Sequence, residues 1–151
     1  MAQSLSRIII HLVFSTKLRT PWLKDPGLRK ELYPYLGGIL RDNVDSPSII
    51  INGVEDHVHM LFVLSRKFAP MDVVKEVKTE SSKWVKRKSG IADFTWQSGY
   101  GAFSIGESDI PDVKTYIQNQ ESHHRFVTFQ DEFRELCRKH GVELDERYVW
   151  D

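Results

Sequence analysis

The chain has 151 residues, 21 basic and 21 acidic, 40% hydrophobic, with one cysteine. That length suits a single domain over 1–151, able to bury roughly two-thirds of its unfolded surface, and no apolar run approaches the ~20 residues that a bilayer-spanning helix needs. The zero net charge weighs a little against a nucleic-acid binder, since such domains are often basic overall. The lone Cys137 excludes an internal disulfide and agrees with a cytoplasmic setting.

The zero hides an uneven distribution. Residues 66–88 carry eight basic side chains against three acidic ones, a net of +5. Such a segment can engage phosphates, with Lys75, Lys78, Lys83 and Lys86 as the candidates for a nucleic-acid backbone. A charge run is more often simply a solvated face.

In chain order, Ser6 to Ser15 is rich in Ile, Val and Phe and reads as a strand, not a signal peptide. Pro21, Pro26 and Gly27 break the loop that follows. Leu28, Leu32, Leu36 and Ile39 form one helical stripe, although Pro34 and the Gly37-Gly38 pair count against a perfect helix. Residues 46–54 read as a second strand. Asn52-Gly53 offers a turn into a third strand from His57. Pro70 starts a helix with an inner stripe of Val73, Val74, Val77, Ser81, Trp84 and Val85. A fourth strand is expected near Tyr100 to Ile105. Ser108 or Asp109 can cap the next helix, with Pro111 in its first turn. A further short helix spans about Phe129 to His140, ended by Gly141, and an extended tail completes the 129–151 segment. The order β-α-β-β-α-β is the α+β, ferredoxin-like plan: a four-stranded antiparallel sheet with two helices on one face. The other face would be open to a partner, and the C-terminal helices, including the one with Tyr116, are additions to the plan.

His57 and His59 are the unusual residues of the third strand. With a side-chain period of two, both imidazoles share a face with Leu61 and Val63, while Val58, Met60, Phe62 and Leu64 take the other. An isolated pair is more often half-solvated than functional, because a catalytic ion usually needs three protein groups. Four residues apart on a helix, Tyr116 and Gln120 share a face. Alone they read as part of an amphipathic helix. Together, two imidazoles and an amide oxygen could hold a divalent ion that polarises a phosphodiester, while the tyrosine attacks phosphorus. At an unperturbed pKa of about 10, only about one phenol in a thousand is ionised at neutral pH.

The stretch EDHVHML resembles the His-hydrophobic-His signature of HUH endonucleases. VKTYIQNQESHH resembles the Tyr-x-x-x-Gln helix of the single-tyrosine, IS200-like transposases in that superfamily; REP-associated tyrosine transposases are relatives. HLVFSTKLRTPWL and WQSGYGAFSIGESD also look like that family's segments, so the likeness spans roughly residues 5–130. It implies a DNA transposase that cuts and rejoins single-stranded DNA at insertion-sequence ends. Tyr116 would be the nucleophile, linked to a DNA 5′ end. His57, His59 and Gln120 would be metal ligands, the ion magnesium or manganese. The implied partners are single-stranded DNA with hairpin ends and a second copy of the chain in a homodimer, with no membrane. The main alternative is a domesticated hairpin-binding protein without transposition activity. A histidine-motif nucleotide hydrolase is disfavoured, because Met60, Leu61 and Phe62 follow the pair where a further histidine is wanted.

Secondary readings are plainer. His11 reads as structural, and His123 and His124 as a solvated helix end. Cys137 reads as a buried apolar residue. Trp84 reads as core, with Trp96 and Tyr100 as possible stacking surfaces. Glu55 and Asp56 are either turn residues or acceptors for a histidine N–H.

Overall fold

The computed structural model describes residues 2–151. Its elements run β1 (Ile8–Ser15), α1 (Pro26–Val44), β2 (Ser48–Gly53), β3 (His57–Leu64), α2 (Pro70–Ser89), β4 (Gly101–Ile105), α3 (Ile110–Gln118), α4 (Gln120–His123) and α5 (Phe129–Lys139). The strands form one sheet in the order β2-β3-β1-β4, with every neighbouring pair antiparallel. This is the expected β-α-β-β-α-β plan.

Helix α1 runs unbroken through Pro34 and both glycines. An interior proline costs about 3 kcal/mol. Leu28, Leu32, Leu36, Ile39 and Leu40 are all buried on its inner stripe, each worth roughly 1.5–3 kcal/mol, so packing outweighs the break. Asp25 starts the helix by accepting the Gly27 N–H at 2.9 Å. Asp72 does the same for α2 by accepting the Ala69 N–H at 3.1 Å. Helices α1 and α2 cover Ile10, Leu12, Phe14, Val58, Met60, Phe62 and Leu64 of the sheet.

The opposite face is not open, as the two-layer plan would have it. The chain's own C-terminal half covers it. Phe129, Phe133 and Cys137 of α5 pack with Val13 and Phe103, and Ile117 of α3 packs with Ile9 and Leu61. The physical reason is the apolar stripe at i, i+4 and i+8 along α5, which only the sheet can bury. Gly141 ends α5 with φ +68°, as expected. The residues after it are not one extended tail: 142–145 are irregular, and turns over 146–150 press Val149 and Trp150 onto the α5 cluster. The expected cap at Asp109 is also not made by its side chain. Trp96 is buried and donates from Nε1 to Ser81 Oγ at 2.9 Å, so it belongs to the core and not to a stacking surface. Among the described residues, no helix is long and apolar enough to cross a membrane.

The seat of α5 depends on Gly101, where a Cβ would stand 2.8 Å from the Phe133 ring and 2.9 Å from Phe103. Gly101→Ala should therefore lift α5 and cost about 1–3 kcal/mol, read by urea denaturation; an unchanged midpoint would show that α5 adapts without loss.

Candidate metal centre and nucleophile

The hairpin between β2 and β3 sets the histidines. Gly53 is required there by close approach, since a Cβ would lie 2.3 Å from the His57 carbonyl oxygen. The turn is tied down from β1, with the Thr16 N–H donating to Asp56 O at 2.8 Å. The β1 register puts Ser15 opposite His57 and Val13 opposite His59. Both imidazoles thus face the C-terminal helices, and both are fully buried rather than half-solvated. Asp56 Oδ1 lies 2.7 Å from His57 Nδ1, which orients the ring so that Nε2 faces inward. His59 Nδ1 is 2.8 Å from His11 Nε2, so the buried His11 is its supporting partner.

Tyr116 comes from the last turns of α3. Asn52 of β2 fixes that end of the helix, donating from Nδ2 to the carbonyls of Ile117 (3.0 Å) and Gln118 (3.1 Å). The helix breaks at Asn119, and Gln120 opens the short α4. Despite the break, Tyr116 and Gln120 converge on the same group. Gln120 is fully buried, with Oε1 3.2 Å from His57 Nε2.

That group is Glu132 of α5, a residue outside the set expected at the site. Its Oε1 lies 2.9 Å from His59 Nε2, 3.2 Å from His57 Nε2 and 3.1 Å from His124 Nε2. Its Oε2 accepts from the Tyr116 hydroxyl and from Gln120 Nε2 at 3.1 Å. His123 Nε2 is 3.3 Å from the same oxygen. His123 and His124 therefore point into the site, a correction to the solvated helix end. A signal for Glu132 was present: it sits at i+3 from Phe129, inside the apolar stripe of α5, where an ionised side chain is out of place.

The electrostatics follow from burial and pairing. Burial opposes charging of His57, but the Asp56 and Glu132 carboxylates outweigh it and hold the imidazole up to about 9. Burial pushes His59 and His11 below the usual imidazole range. Burial also opposes ionisation of Glu132, yet the surrounding imidazoles keep it far below the carboxylate range. Burial and the adjacent Glu132 anion raise the Tyr116 phenol well above its ordinary value.

The donor set fits a divalent cation. One ligand atom from each of His57, His59, His124 and Glu132 lies within 4.8 Å of every other. His124 is the sharpest observation. Its Nδ1 is 2.6 Å from the Val127 carbonyl, an acceptor that only an N–H there can satisfy, so Nε2 is the ring nitrogen left to offer a lone pair to an ion. That Nε2 is buried without a hydrogen bond, as is His123 Nε2. A buried lone pair beside a carboxylate oxygen is costly, and a cation between them removes the cost. Three imidazoles and one carboxylate suit a first-row transition ion better than magnesium, which prefers oxygen and water; manganese also prefers oxygen but accepts imidazole more readily than magnesium does.

A cavity of about 620 Å³ opens beside the phenol, between β4, α3 and α5, and is lined by Tyr116, His123, Asp109, Asp112, Asp131 and Glu135 among others. The basic helix α2 lies across the sheet from all of this. Lys75, Lys83 and Lys86 are exposed on it. Lys78 is half-buried, and its ammonium donates to the carbonyls of Gln97 (2.7 Å), Ser98 (3.1 Å) and Gly99 (2.7 Å), so it is committed to the chain's own loop. Burial lowers that ammonium to about 8.

Residues 4–120 match the profile of the family described as "Transposase IS200 like". The fold is similar to that of a Deinococcus radiodurans protein assigned as a transposase, with TM-score 0.61, 20% identity, and coverage of 80% of this chain and 95% of that one. It is also similar to a REP-associated tyrosine transposase bound to a REP hairpin, with TM-score 0.59, 14% identity, and coverage of 93% and 88%. No curated protein matches the chain. His124 and Glu132 lie beyond the matched residues.

The site predicts a two-sided stability profile for chelator-treated protein. His57, raised from 6.5 to about 9, contributes stability that is full below 6.5 and lost as pH climbs through 9. His11 and His59 are depressed, so as pH falls through the ordinary imidazole range the unfolded chain takes up protons first and stability drops. The melting temperature, followed by circular dichroism, should peak near 6.5 and fall from there to about 9; a continued rise through that window would contradict the His57–Glu132 ion pair.

Proposed function

The chain belongs to the IS200-like transposase family, and on that premise we propose that it cuts and rejoins single-stranded DNA through a covalent 5′-phosphotyrosine at Tyr116. The single observation that carries the reading is the meeting of the phenol with the imidazole cluster on one carboxylate, within one chain.

In this reading His57, His59 and His124 hold a divalent cation, manganese or magnesium, with Glu132 or Gln120 as the oxygen donor. Bound there, the ion supplies the positive charge that polarises the scissile phosphate and favours the phenolate. Asp56 and His11 keep the two strand imidazoles aimed. Glu132 holds the phenol in place by accepting its hydrogen bond. Its negative charge also keeps the phenol protonated until positive charge arrives.

The Tyr116 oxygen then attacks phosphorus, and the bond to the 3′ oxygen breaks. The phenol proton passes to a nearby base, and the departing oxygen gains a proton to become a free 3′ hydroxyl. Attack by a second 3′ hydroxyl reverses the step and rejoins the strand. One chain brings its own phenol to its own imidazoles, so a homodimer would serve to hold two DNA ends together. Hairpin ends as partners follow by analogy with the REP-associated relative, which binds one.

The test is a denaturing gel of the protein incubated with single-stranded element ends and manganese. The unmodified chain should give a covalent adduct. Tyr116→Phe should give none, and His57→Ala should slow it at least about a hundredfold. An adduct formed by the Phe variant would remove Tyr116 as nucleophile, and hairpin binding with no adduct at all would favour the domesticated binding protein.

A further inference from the structure

We infer that Arg125 and Phe126, with Arg19 beneath them, form the subsite that grips the single strand next to the scissile phosphate, Phe126 stacking on an unpaired base. The inference deepens the strand-transfer reading and rests on it for the identity of the ligand.

Phe126 is 90% exposed, the highest value among the large apolar side chains described. It follows His124 by two residues, in the loop that leads into α5. Nothing in the fold uses this ring: its neighbours Phe129 and Phe133 supply the packing on the sheet. An aromatic ring left in water two residues from a candidate metal ligand suits a π-surface that every base can use.

The second observation is the cleft under that ring. It measures about 420 Å³, and its walls include Arg19, Asp56, His124, Arg125 and Phe126. It thus borders the centre on the side where His124 and the His57-bound Asp56 stand. Arg125 is exposed and makes no ion pair among the described residues. Arg19 offers a buried Nη1 with no hydrogen-bond partner. It is held there by a backbone that places both Leu18 and Arg19 at φ 55°, a conformation that L residues with side chains adopt at a cost. Its guanidinium leans on the Trp150 ring at 5.9 Å. A buried, unpaired guanidinium N–H calls for an anion, and a phosphate oxygen is the acceptor that Arg fits.

Charge decides between the two openings of the site. The cavity beside the phenol is rimmed by Asp109, Asp112, Asp131 and Glu135 against Lys139; Asp131 and Glu135 are paired with Arg134 and Arg138, but Asp109 and Asp112 have no ion-pair partner among the described residues. A polyanion is repelled there. The Arg19–Arg125 cleft carries two guanidinium groups against two carboxylates, Glu55 and Asp56, and Asp56 is turned to the His57 ring, 2.7 Å from its Nδ1. The strand therefore runs along the His124 side, and the acidic side is left to the nucleophile.

The test uses the full chain with manganese and two fluorescent probes, an oligothymidylate of about twelve nucleotides and an abasic oligomer of the same length. Fluorescence anisotropy should show tighter binding of the thymidylate by the unmodified chain. Phe126→Ala should weaken thymidylate binding about tenfold and erase the preference over the abasic probe, while Phe126→Tyr keeps it. Arg125→Ala should reduce the slope of log affinity against log salt by about 0.7 and leave the base preference intact. Equal binding of the two probes by the unmodified chain, or thymidylate binding unchanged in Phe126→Ala, overturns the subsite. The adduct assay at Tyr116 reads the strand-transfer mechanism separately: an adduct with no Phe126 effect sinks the subsite alone, and a Phe126 effect with no adduct sinks the mechanism alone.

Discussion

One buried carboxylate organises the active face of this molecule. Glu132 meets imidazoles from β3 and from the α4 end, an amide from α4 and a phenol from α3, all at hydrogen-bond or ion-pair distance. Moving such charges out of water costs several kcal/mol per ion even after relaxation. The Glu132–His57 pair returns part of that through attraction at low dielectric, and the polar neighbours return part through hydrogen bonds. A hydrophobic side chain at the same place on α5 would pack against the sheet with no such cost. The arrangement is therefore better understood as a site than as a stabilising element.

The sheet separates two jobs by the alternation of side chains along β1 and β3. Even-numbered residues from Ile10 to Phe14 and from Val58 to Leu64 feed the large core under α1 and α2. Residues on the other face include His11, Ser15, His57 and His59, and they meet helices supplied by the last third of the chain. A one-residue slip in register would exchange these faces. The Gly53 turn and the Thr16–Asp56 bond hold that register where it matters, at the end of the strand that carries the histidines.

The same division separates the basic segment from the chemistry. Helix α2 lies on the far layer, and one of its four candidate lysines, Lys78, holds the loop of Gln97 to Gly99 together. Nucleic acid that touched the remaining lysines and the candidate metal centre together would have to pass around an edge of the sheet. Cationic groups nearer the centre include Arg19 and Arg125, which no charge run marks in the sequence. Helix α5 also lies outside the residues that match the family profile, so the part of the chain that closes the centre is the part that profile does not describe.

Periodicity and punctuation in the sequence by themselves determined the element order, the antiparallel four-stranded plan, and the shared face of His57 and His59. These are local properties: a side-chain period of two, a stripe every third or fourth residue, a proline or glycine at an end. Tyr116 and Gln120 were also legible, four residues apart, and their convergence survives a helix break that spacing did not reveal. Only the tertiary structure decided that α5 folds back over the sheet, that Glu132 enters the imidazole cluster, and that His123 and His124 turn inward. The reason is that Glu132 stands 73 residues from His59, and nothing in the chain near either residue encodes the pairing. The apolar stripe of Phe129, Phe133 and Cys137 drives the docking, and the carboxylate is carried into the centre by the helix that bears it.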